Sequence, residues 1–210
     1  MALILFDLDG TIIDSTEYLL QALHLAVEDM PHIQEPSKET LQSAYGLTGN
    51  AFWAKVVPDA SPQEITIIRR RRSEFLDQLV KGKDLLFPGV KETLHQLKED
   101  GHTLSTASNC GTHYLDMVLD SQDIRQYFSE PICLGTIHGE KKGDVLAVHF
   151  EKFGKSEAAY LVGDRYSDIE AAKEHGIPVI YCTYGFGTDE EAAQADYRIS
   201  SIDEVRSIVS

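Results

Sequence analysis

Residues 2–11 read ALILFDLDGT, an uninterrupted apolar run that ends in two acids. Such a run is typical of a β-strand that is buried on both faces of a parallel sheet. Alternate residues of a strand point the same way, so Asp7 and Asp9 are expected to lie together at its end. Gly10 permits a sharp reversal of the chain beside them. An ordinary acidic turn would account for Asp9 but not for Asp7, which directly follows the apolar run. Burial of the Asp7 carboxylate is costly unless a cation lies nearby.

Short apolar runs alternate with helical patterns over most of the chain. Strands are predicted at residues 2–8, 103–108, 131–134, 159–162, 179–183 and 197–199, and helices at 90–100, 112–120, 144–153 and 168–175. Strands that alternate with helices are typical of βαβ units, so the sequence predicts an α/β fold with a doubly wound, mostly parallel sheet. In such sheets the ligand site forms at the carboxyl ends of the strands.

One long segment breaks this alternation. Residues 16–86 contain no evident strand, and their apolar residues recur at helical spacing. The tripeptide Phe-Pro-Gly at residues 87–89 then marks the return of strands. The sequence therefore predicts a core of residues 1–15 and 87–210 with an all-helical insertion at residues 16–86.

Four consecutive arginines stand at residues 69–72 of this insertion. Successive side chains of a helix lie about 100° apart, so the four cannot form one basic stripe. Arg72 shares the helical spacing of the apolar residue Ile68. We nevertheless expect a solvated helix surface with salt bridges to Glu64 and Glu74, in preference to a phosphate-binding role.

The composition excludes several classes of partner. The 210 residues carry a formal net charge of −15, which argues against a nucleic-acid partner because affinity for phosphate backbones comes mainly from Lys and Arg. Cys110, Cys133 and Cys182 form no C-x-x-C pair, which favours reduced thiols and a cytoplasmic location. No apolar run reaches the ~20 residues of a membrane-spanning helix, so no membrane partner is expected.

The motif DLDGT at residues 7–11 resembles the first motif of the haloacid dehalogenase superfamily. Later motifs match that family in the same order, and the chain is similar in particular to small phosphoglycolate-phosphatase-like members with a helical cap. The resemblance implies a Rossmann-like core and makes residues 16–86 the cap. It also implies that Asp7 is the nucleophile that forms an aspartyl-phosphate, and that Asp9 is a general acid and base. Thr11, in the same motif, is assigned to phosphate binding.

The second and third motifs supply groups that bind phosphoryl oxygens. Residues 104–109 read LSTASN, and the family's hydroxyl falls on Ser108, for which a helix-capping role is the alternative. Asn109 adds a backbone amide donor at the start of the next helix. The family's lysine, which neutralises the nucleophile and the transferring phosphoryl group, falls on Lys142, with Lys141 as the alternative.

The fourth motif, LVGDRYSD at residues 161–168, implies metal ligands. By the resemblance, Asp164 binds Mg²⁺ together with Asp7 and the backbone carbonyl of Asp9. Such a set suits Mg²⁺, which prefers oxygen ligands and retains several waters.

Two further positions each have a functional and a structural interpretation. Asp168 is expected to be a partner of the metal or of the lysine without binding the metal directly; alternatively it lies in a helix start capped by Ser167 and Glu170. Gly46, in the loop GLTGN at residues 46–50, resembles the cap loop that touches substrate in the family; alternatively it belongs to an ordinary turn between helices.

Together these motifs predict a Mg²⁺-dependent phosphatase that acts on a small phosphorylated metabolite, with a phosphoglycolate-like ester as one candidate. One alternative is a sugar phosphomutase that uses the same phospho-aspartate, since a cap that excludes water would favour mutation over hydrolysis. Another is a non-catalytic, phosphate-binding regulatory protein, against which the complete set of motif residues counts. The sequence indicates no particular oligomeric state.

Overall fold

The computed structural model describes residues 1–154 and 158–209, and a six-stranded sheet lies at its centre. The strands are β1 (Leu3–Phe6), β2 (Thr103–Ser108), β3 (Ile132–Cys133), β4 (Ala159–Gly163), β5 (Val179–Cys182) and β6 (Tyr197–Ile199). Their order is β3-β2-β1-β4-β5-β6, and each neighbouring pair is parallel. The predicted α/β fold with a doubly wound parallel sheet is confirmed.

Four helices lie within residues 16–86, where the sequence predicts an all-helical insertion. They are α1 (Thr16–Val27), α2 (Lys38–Ala44), α3 (Gly49–Val56) and α4 (Pro62–Leu79). The start of α4 is well defined, because the Ser61 N–H donates to the Glu64 carboxylate (2.8 Å) and the Glu64 N–H donates to the Ser61 hydroxyl (3.4 Å). Helix α1 packs along α4, and both contribute apolar residues to the main hydrophobic core.

The two segments that join these helices to the sheet run side by side. The N–H of Asp14 donates to the carbonyl of Leu85 (2.9 Å), and the N–H of Phe87 donates to the carbonyl of Ile12 (3.0 Å). The chain therefore leaves the sheet and returns to it at one place. The division into a core and a cap at residues 15 and 87 stays a prediction, which is taken up in the proposal below.

The remaining helices lie after the insertion, one before β2 and the others after the later strands. They are α5 (Val90–Glu99), α6 (Thr112–Ser121), α7 (Leu134–Ile137), α8 (Lys142–Phe153), α9 (Tyr166–His175), α10 (Asp189–Ala192) and α11 (Val205–Val209), with single 3-10 turns at Arg125–Tyr127 and Ile202–Glu204. The four helices predicted between residues 90 and 175 are all present, and their ends lie within two residues of the predicted ones. None of the helices in the described part of the chain is long and apolar enough to cross a membrane.

The register of the sheet brings the ends of β1, β2 and β4 together. Phe6 of β1 pairs with Thr106 of β2 on one side and with Val162 of β4 on the other. The residues one or two positions beyond this row include Asp7, Ser108 and Asp164. The strand order also reverses between β1 and β4, which is where ligands bind in open α/β sheets.

Candidate active site

Asp7 is buried at the end of β1, and its carboxylate is held from two sides. Its Oδ1 accepts a hydrogen bond from the N–H of Leu8 (2.8 Å), and its Oδ2 lies 2.7 Å from Nζ of Lys142. The same Nζ lies 2.5 Å from Oδ1 of Asp168. Burial alone would lower the pKa of Lys142, but the charges of Asp168 and Asp7 outweigh this effect and raise it. Lys142 is therefore a stable cation beside the Asp7 carboxylate.

The neighbouring Lys141 points to the surface. Its Nζ lies 2.7 Å from Oε1 of Glu174, and both side chains are exposed. Lys141 precedes α8 with an extended backbone (φ −140°, ψ 161°), whereas Lys142 is the first residue of the helix, so the two side chains leave the chain in different directions. The geometry brings Lys142 to Asp7, while the catalytic role assigned to it stays a prediction.

Three buried carboxylates meet at the strand ends. Asp7, Asp164 and Asp168 each offer one oxygen, and these oxygens lie within 4.8 Å of one another. Burial, and then the charges of the other two acids, raise the pKa of Asp164 well above its usual range. Lys142 supplies one positive charge against three carboxylates, so the ionised cluster needs a further cation. Carboxylate oxygens at this spacing fit a hard divalent metal ion.

Asp168 holds Lys142 and the start of α9. Its Oδ2 accepts a hydrogen bond from the N–H of Arg165 (3.0 Å), and its Oδ1 is the contact of Lys142 described above. The alternative capping box of Ser167 and Glu170 is wrong, because the Ser167 hydroxyl has no hydrogen-bond partner among the described residues. The carboxylate of Asp168 thus links Lys142 to the first turn of α9.

The turn after β1 packs directly against Asp164. Gly10 has a φ of +82°, and a Cβ at this position would overlap the Asp164 carboxylate. Thr11 is fully buried and donates from Oγ1 to Asp164 (3.3 Å), while the N–H of Phe186 donates to the other oxygen (2.7 Å). Thr11 therefore orients Asp164 from behind and is not among the residues that border the pocket. Its assignment to phosphate binding stays a prediction.

Asp9 lies on the pocket side of the same turn. The hydroxyls of Ser15 and Tyr114 each donate to its Oδ1 at 2.6 Å. Burial raises the pKa of Asp9 to about 6; the charge of Asp7 adds to this rise, whereas the two hydrogen bonds oppose it. A carboxyl group with a pKa near neutrality can both deliver and accept a proton at physiological pH.

Ser108 and Asn109 connect the end of β2 to the helical segment. Ser108 is buried and borders the pocket. The side-chain amide of Asn109 donates from Nδ2 to the carbonyl of Gly46 (2.8 Å). Gly46 has a φ of +87°, and a Cβ there would lie 3.3 Å from Cβ of Arg165. The loop between α2 and α3 thus lies close to the strand ends, and its contact with substrate stays a prediction.

A cavity of about 180 Å³ lies between the strand ends and the helices. The side chains that border it include Asp7, Asp9, Ser108 and Asn109 from the strand ends, and Tyr45, Trp53, Arg69 and Arg72 from the helices. This volume is below the roughly 300–1,000 Å³ of pockets for drug-sized ligands, so the cavity suits a small one.

The prediction for the arginine run at residues 69–72 is wrong in part. Among the described residues, no ion pair joins the run to Glu64 or Glu74. Arg71 pairs instead with Asp29, with 3.0 Å between Nη2 and Oδ2.

Arg72 turns inward because it falls on the buried stripe of α4, four residues after Ile68 and four before Leu76. Its guanidinium carbon lies 5.3 Å from the centre of the Trp53 ring. Arg69, one turn earlier on the same face, also borders the cavity. The solvated-surface interpretation therefore fails for the arginine that faces the site.

Known proteins match the chain over nearly its whole length. The profile of the haloacid dehalogenase-like hydrolases matches residues 4–182. A phosphoglycolate phosphatase of Aliivibrio fischeri is 33% identical over 90% of this chain and 86% of its own length. One of Escherichia coli is 30% identical over 95% of this chain and 89% of its own. The crystal structure of a predicted phosphoglycolate phosphatase from Haemophilus somnus superposes with a TM-score of 0.90 at 24% identity, over 100% of this chain and 98% of that one.

The chain belongs to the haloacid dehalogenase-like hydrolases. The prediction of an enzyme, a hydrolase of phosphoric monoesters, is confirmed. The fold, with its central parallel sheet, agrees with that of the Haemophilus somnus protein.

Proposed function

We propose that the chain is a Mg²⁺-dependent phosphatase that hydrolyses a small phosphomonoester through a phosphorylated Asp7. The observation that carries the proposal is the buried contact between Asp7 and Lys142 beside a second carboxyl group, Asp9, whose pKa lies near neutrality. The nucleophile and a group able to transfer protons then border one small pocket, and a fixed cation contacts the nucleophile from within the core. Hydrolysis through a covalent intermediate requires these groups.

In the first step a carboxylate oxygen of Asp7 forms a bond to phosphorus as the bond from phosphorus to the ester oxygen breaks. Asp9, protonated by virtue of its raised pKa, gives its proton to the departing alkoxide. Lys142 offsets the negative charge of Asp7 and of the approaching phosphoryl group, and the Ser108 hydroxyl donates a hydrogen bond to a phosphoryl oxygen.

In the second step a water molecule attacks the phosphorus of phospho-Asp7. Asp9, now ionised, takes a proton from that water as the acyl-phosphate bond breaks. Inorganic phosphate leaves, and both carboxyl groups return to their starting states.

Mg²⁺ would be held by the carboxylates of Asp7 and Asp164 and by the backbone carbonyl of Asp9. When bound, it supplies positive charge to the phosphoryl oxygens. The donor set supports this assignment, since it consists of buried acids whose charges exceed what Lys142 can balance.

We also propose that residues 16–86 act as a cap over a core of residues 1–15 and 87–210. The adjacent connections at Asp14–Leu85 and Ile12–Phe87, and a cavity bordered by both parts, support this division. Such a cap would limit the access of water to the ester and select among its organic groups. Phosphoglycolate is the first substrate to test, because the similar proteins of Aliivibrio fischeri and Escherichia coli carry that name.

The test is a panel of phosphate esters that includes phosphoglycolate, sugar phosphates and nucleotides, assayed for phosphate release with Mg²⁺ and with EDTA. We expect release from at least one small ester, its loss in EDTA, and its recovery with Mg²⁺. Ca²⁺ should not replace Mg²⁺, since its looser coordination would draw both Asp7 oxygens onto the metal. Equal activity in EDTA would contradict the metal requirement, and transfer of phosphate between sugar hydroxyls without release would identify a mutase.

A further inference from the structure

The loop between α2 and α3 contacts three loops that follow strands of the sheet. The side-chain amide of Asn109, after β2, donates to the carbonyl of Gly46 (2.8 Å). The ring of Phe186, after β5, stacks on the ring of Tyr45 with 4.8 Å between their centres and 20° between their planes. Arg165, after β4, hydrogen-bonds to the carbonyl of Tyr45. This docking loop, residues 45–48, is therefore held by the same edge of the sheet that carries the acids.

Arg165 binds the end of α2 with its side chain. Its Nη1 donates to the carbonyl of Gln42 (3.0 Å) and to that of Tyr45, the residue that ends the helix. Carbonyls in the last turn of a helix carry the negative end of its dipole, so a guanidinium is a favourable partner for them. Glu191 orients the same guanidinium, with 3.4 Å between Nε and Oε2. Only 14% of the Arg165 side chain is exposed, so solvent screens these contacts less than contacts at the surface.

The docked position of the loop also has a cost. A Cβ at Gly46 would lie 3.2 Å from the Ser167 hydroxyl oxygen, so the two chains approach closely. The Ser167 hydroxyl and the Oδ1 of Asn109 are buried and have no hydrogen-bond partner among the described residues. Such groups oppose docking, because water could satisfy them if the loop moved away. The contacts of Arg165 offset this cost most strongly, since hydrogen bonds from a charged donor are stronger than neutral ones.

Arg165 and Phe186 each hold an acid of the strand ends with their backbone. The N–H of Arg165 donates to Oδ2 of Asp168 (3.0 Å), and the N–H of Phe186 donates to Oδ2 of Asp164 (2.7 Å). Their side chains, by contrast, contact the docking loop at Tyr45. The two contacts of each residue use different atoms. A change of side chain can therefore release the loop and leave the contact with the acid in place.

We propose that Arg165 is a positioning residue, whose side chain holds the docking loop against the strand ends and so keeps the helical segment closed over the cavity. Tyr45, Gly46 and Leu47 of the loop border that cavity, so release of the loop opens it. This inference rests on the proposed function, because it takes residues 16–86 as a cap. It adds to that function the side chain that keeps the cap closed.

The single tryptophan of the chain, Trp53, reports on the position of the cap. It lies on α3, the helix after the docking loop, is only 5% exposed, and borders the cavity. Quenching of its fluorescence by acrylamide, a neutral molecule, therefore measures opening of the cavity without any substrate. Arg165→Met should raise the ratio of open to closed protein about 10-fold, as for loss of a charged hydrogen bond, and so increase quenching. Unchanged quenching in folded Arg165→Met would overturn the inference.

Two more variants place the effect at this contact. Arg165→Lys should be quenched less than Arg165→Met, because it keeps the charge but makes fewer directed hydrogen bonds. Gly46→Ala crowds the same contact from the side of the cap and should also increase quenching, with Arg165 intact. Should Arg165→Met fail to fold, quenching of folded Gly46→Ala equal to wild type would overturn the inference. Arg198→Met is the matched control, since Arg198 is an exposed arginine on β6 that does not border the cavity.

Metal binding and kinetics separate a positioning role from damage to the acids. Because the N–H of Arg165 remains in Arg165→Met, Asp168 keeps its contact, and the affinity for Mg²⁺ measured by calorimetry should equal that of wild type. The KM for the best ester should rise about 10-fold while kcat changes much less, since substrate must bind a smaller closed fraction. Weaker Mg²⁺ binding, or a lower kcat at unchanged KM, would show that Arg165 supports the acids instead.

The quenching result and the activity result can fail separately. Failure of wild-type protein to release phosphate from any ester of the panel with Mg²⁺ would remove the proposed function, whatever the quenching shows. Phosphate release by wild type, with equal quenching and equal KM in wild type and folded Arg165→Met, would remove only the role of Arg165. Circular dichroism of each variant verifies that the comparison concerns folded protein.

Discussion

At the strand ends, Lys142 is buried between Asp7 and Asp168, whereas across the cavity Arg72 forms no ion pair among the described residues and Asp9 is a nearby acid. The strand ends pair their own groups, so their geometry is set before any ligand arrives. The helical wall, the side of the cavity that Tyr45, Trp53, Arg69 and Arg72 form, instead leaves the positive charge of Arg72 available to a ligand. A phosphoryl group has the same shape in every ester, and a site for it can be built in advance. The organic group varies, and the unpaired wall is where recognition of it can differ among related proteins.

The largest effect is expected from the nucleophile on the strand side. Asp7→Asn should lower phosphatase activity on the order of 10⁴-fold or more, because a neutral amide neither attacks phosphorus nor binds metal well. Asp59→Asn, the same change at an exposed site in the helical segment, should leave activity intact. The measurement is phosphate release from the best ester of the panel, with circular dichroism to confirm folding. Substantial turnover by Asp7→Asn would end the phospho-aspartate mechanism.

How well each wall could be predicted follows from the type of residue it uses. The residues at the strand ends could be predicted from the sequence, because apolar runs identify the strands. The parallel sheet then brings Asp7, Ser108 and Asp164 to one edge. Their spacing along the chain also matches known motifs. Lys142 could be chosen over Lys141 only by aligning the family motif, since the sequence around two adjacent lysines does not show which one is buried. The structure shows that Lys142 is buried and Lys141 is exposed.

The helical wall was harder to predict because its contacts depend on how helices pack. Arg72 was expected at the surface, although its spacing from Ile68 placed it on the inward stripe of α4. Weighing that spacing above the charge would have identified it. Tyr114 gave no comparable signal: it reaches Asp9 only because α6 starts directly beyond β2. Ser15 is equally plain in sequence, and its hydrogen bond to Asp9 depends on the turn between β1 and α1.

A second prediction examines whether Asp9 works as an acid and base or only as a charge. Asp9→Asn should slow hydrolysis of an alkyl phosphate about 10²- to 10⁴-fold, the usual cost of losing a positioned proton-transfer group. The loss should be smaller for p-nitrophenyl phosphate, whose phenolate leaves without a proton. Breakdown of phospho-Asp7 still needs a base, so the intermediate should accumulate with this ester and be detectable by mass spectrometry. Equal losses on both esters without a trapped intermediate would make Asp9 a structural turn residue.

The smallest effect on turnover separates the two adjacent lysines. Lys142→Met should lower activity about 10²- to 10³-fold, comparable with removing one donor that stabilises charge in the transition state. It should also destabilise the metal-free protein by about 3–5 kcal/mol, because Asp7 and Asp168 would remain buried without their cation. Thermal unfolding in EDTA and kinetics with Mg²⁺ measure the two effects separately.

Lys141→Met is the matched control, since it removes the same charge one residue earlier on the chain. Lys141 contacts Glu174 at the exposed surface, where solvent screens the pair, so neither activity nor melting temperature should change measurably. If the two variants behaved alike, the buried contacts of Lys142 with Asp7 and Asp168 would not be what balances the negative charge of Asp7. The strand side would then resemble the helical wall, because the negative charge of Asp7 would be balanced by the metal alone.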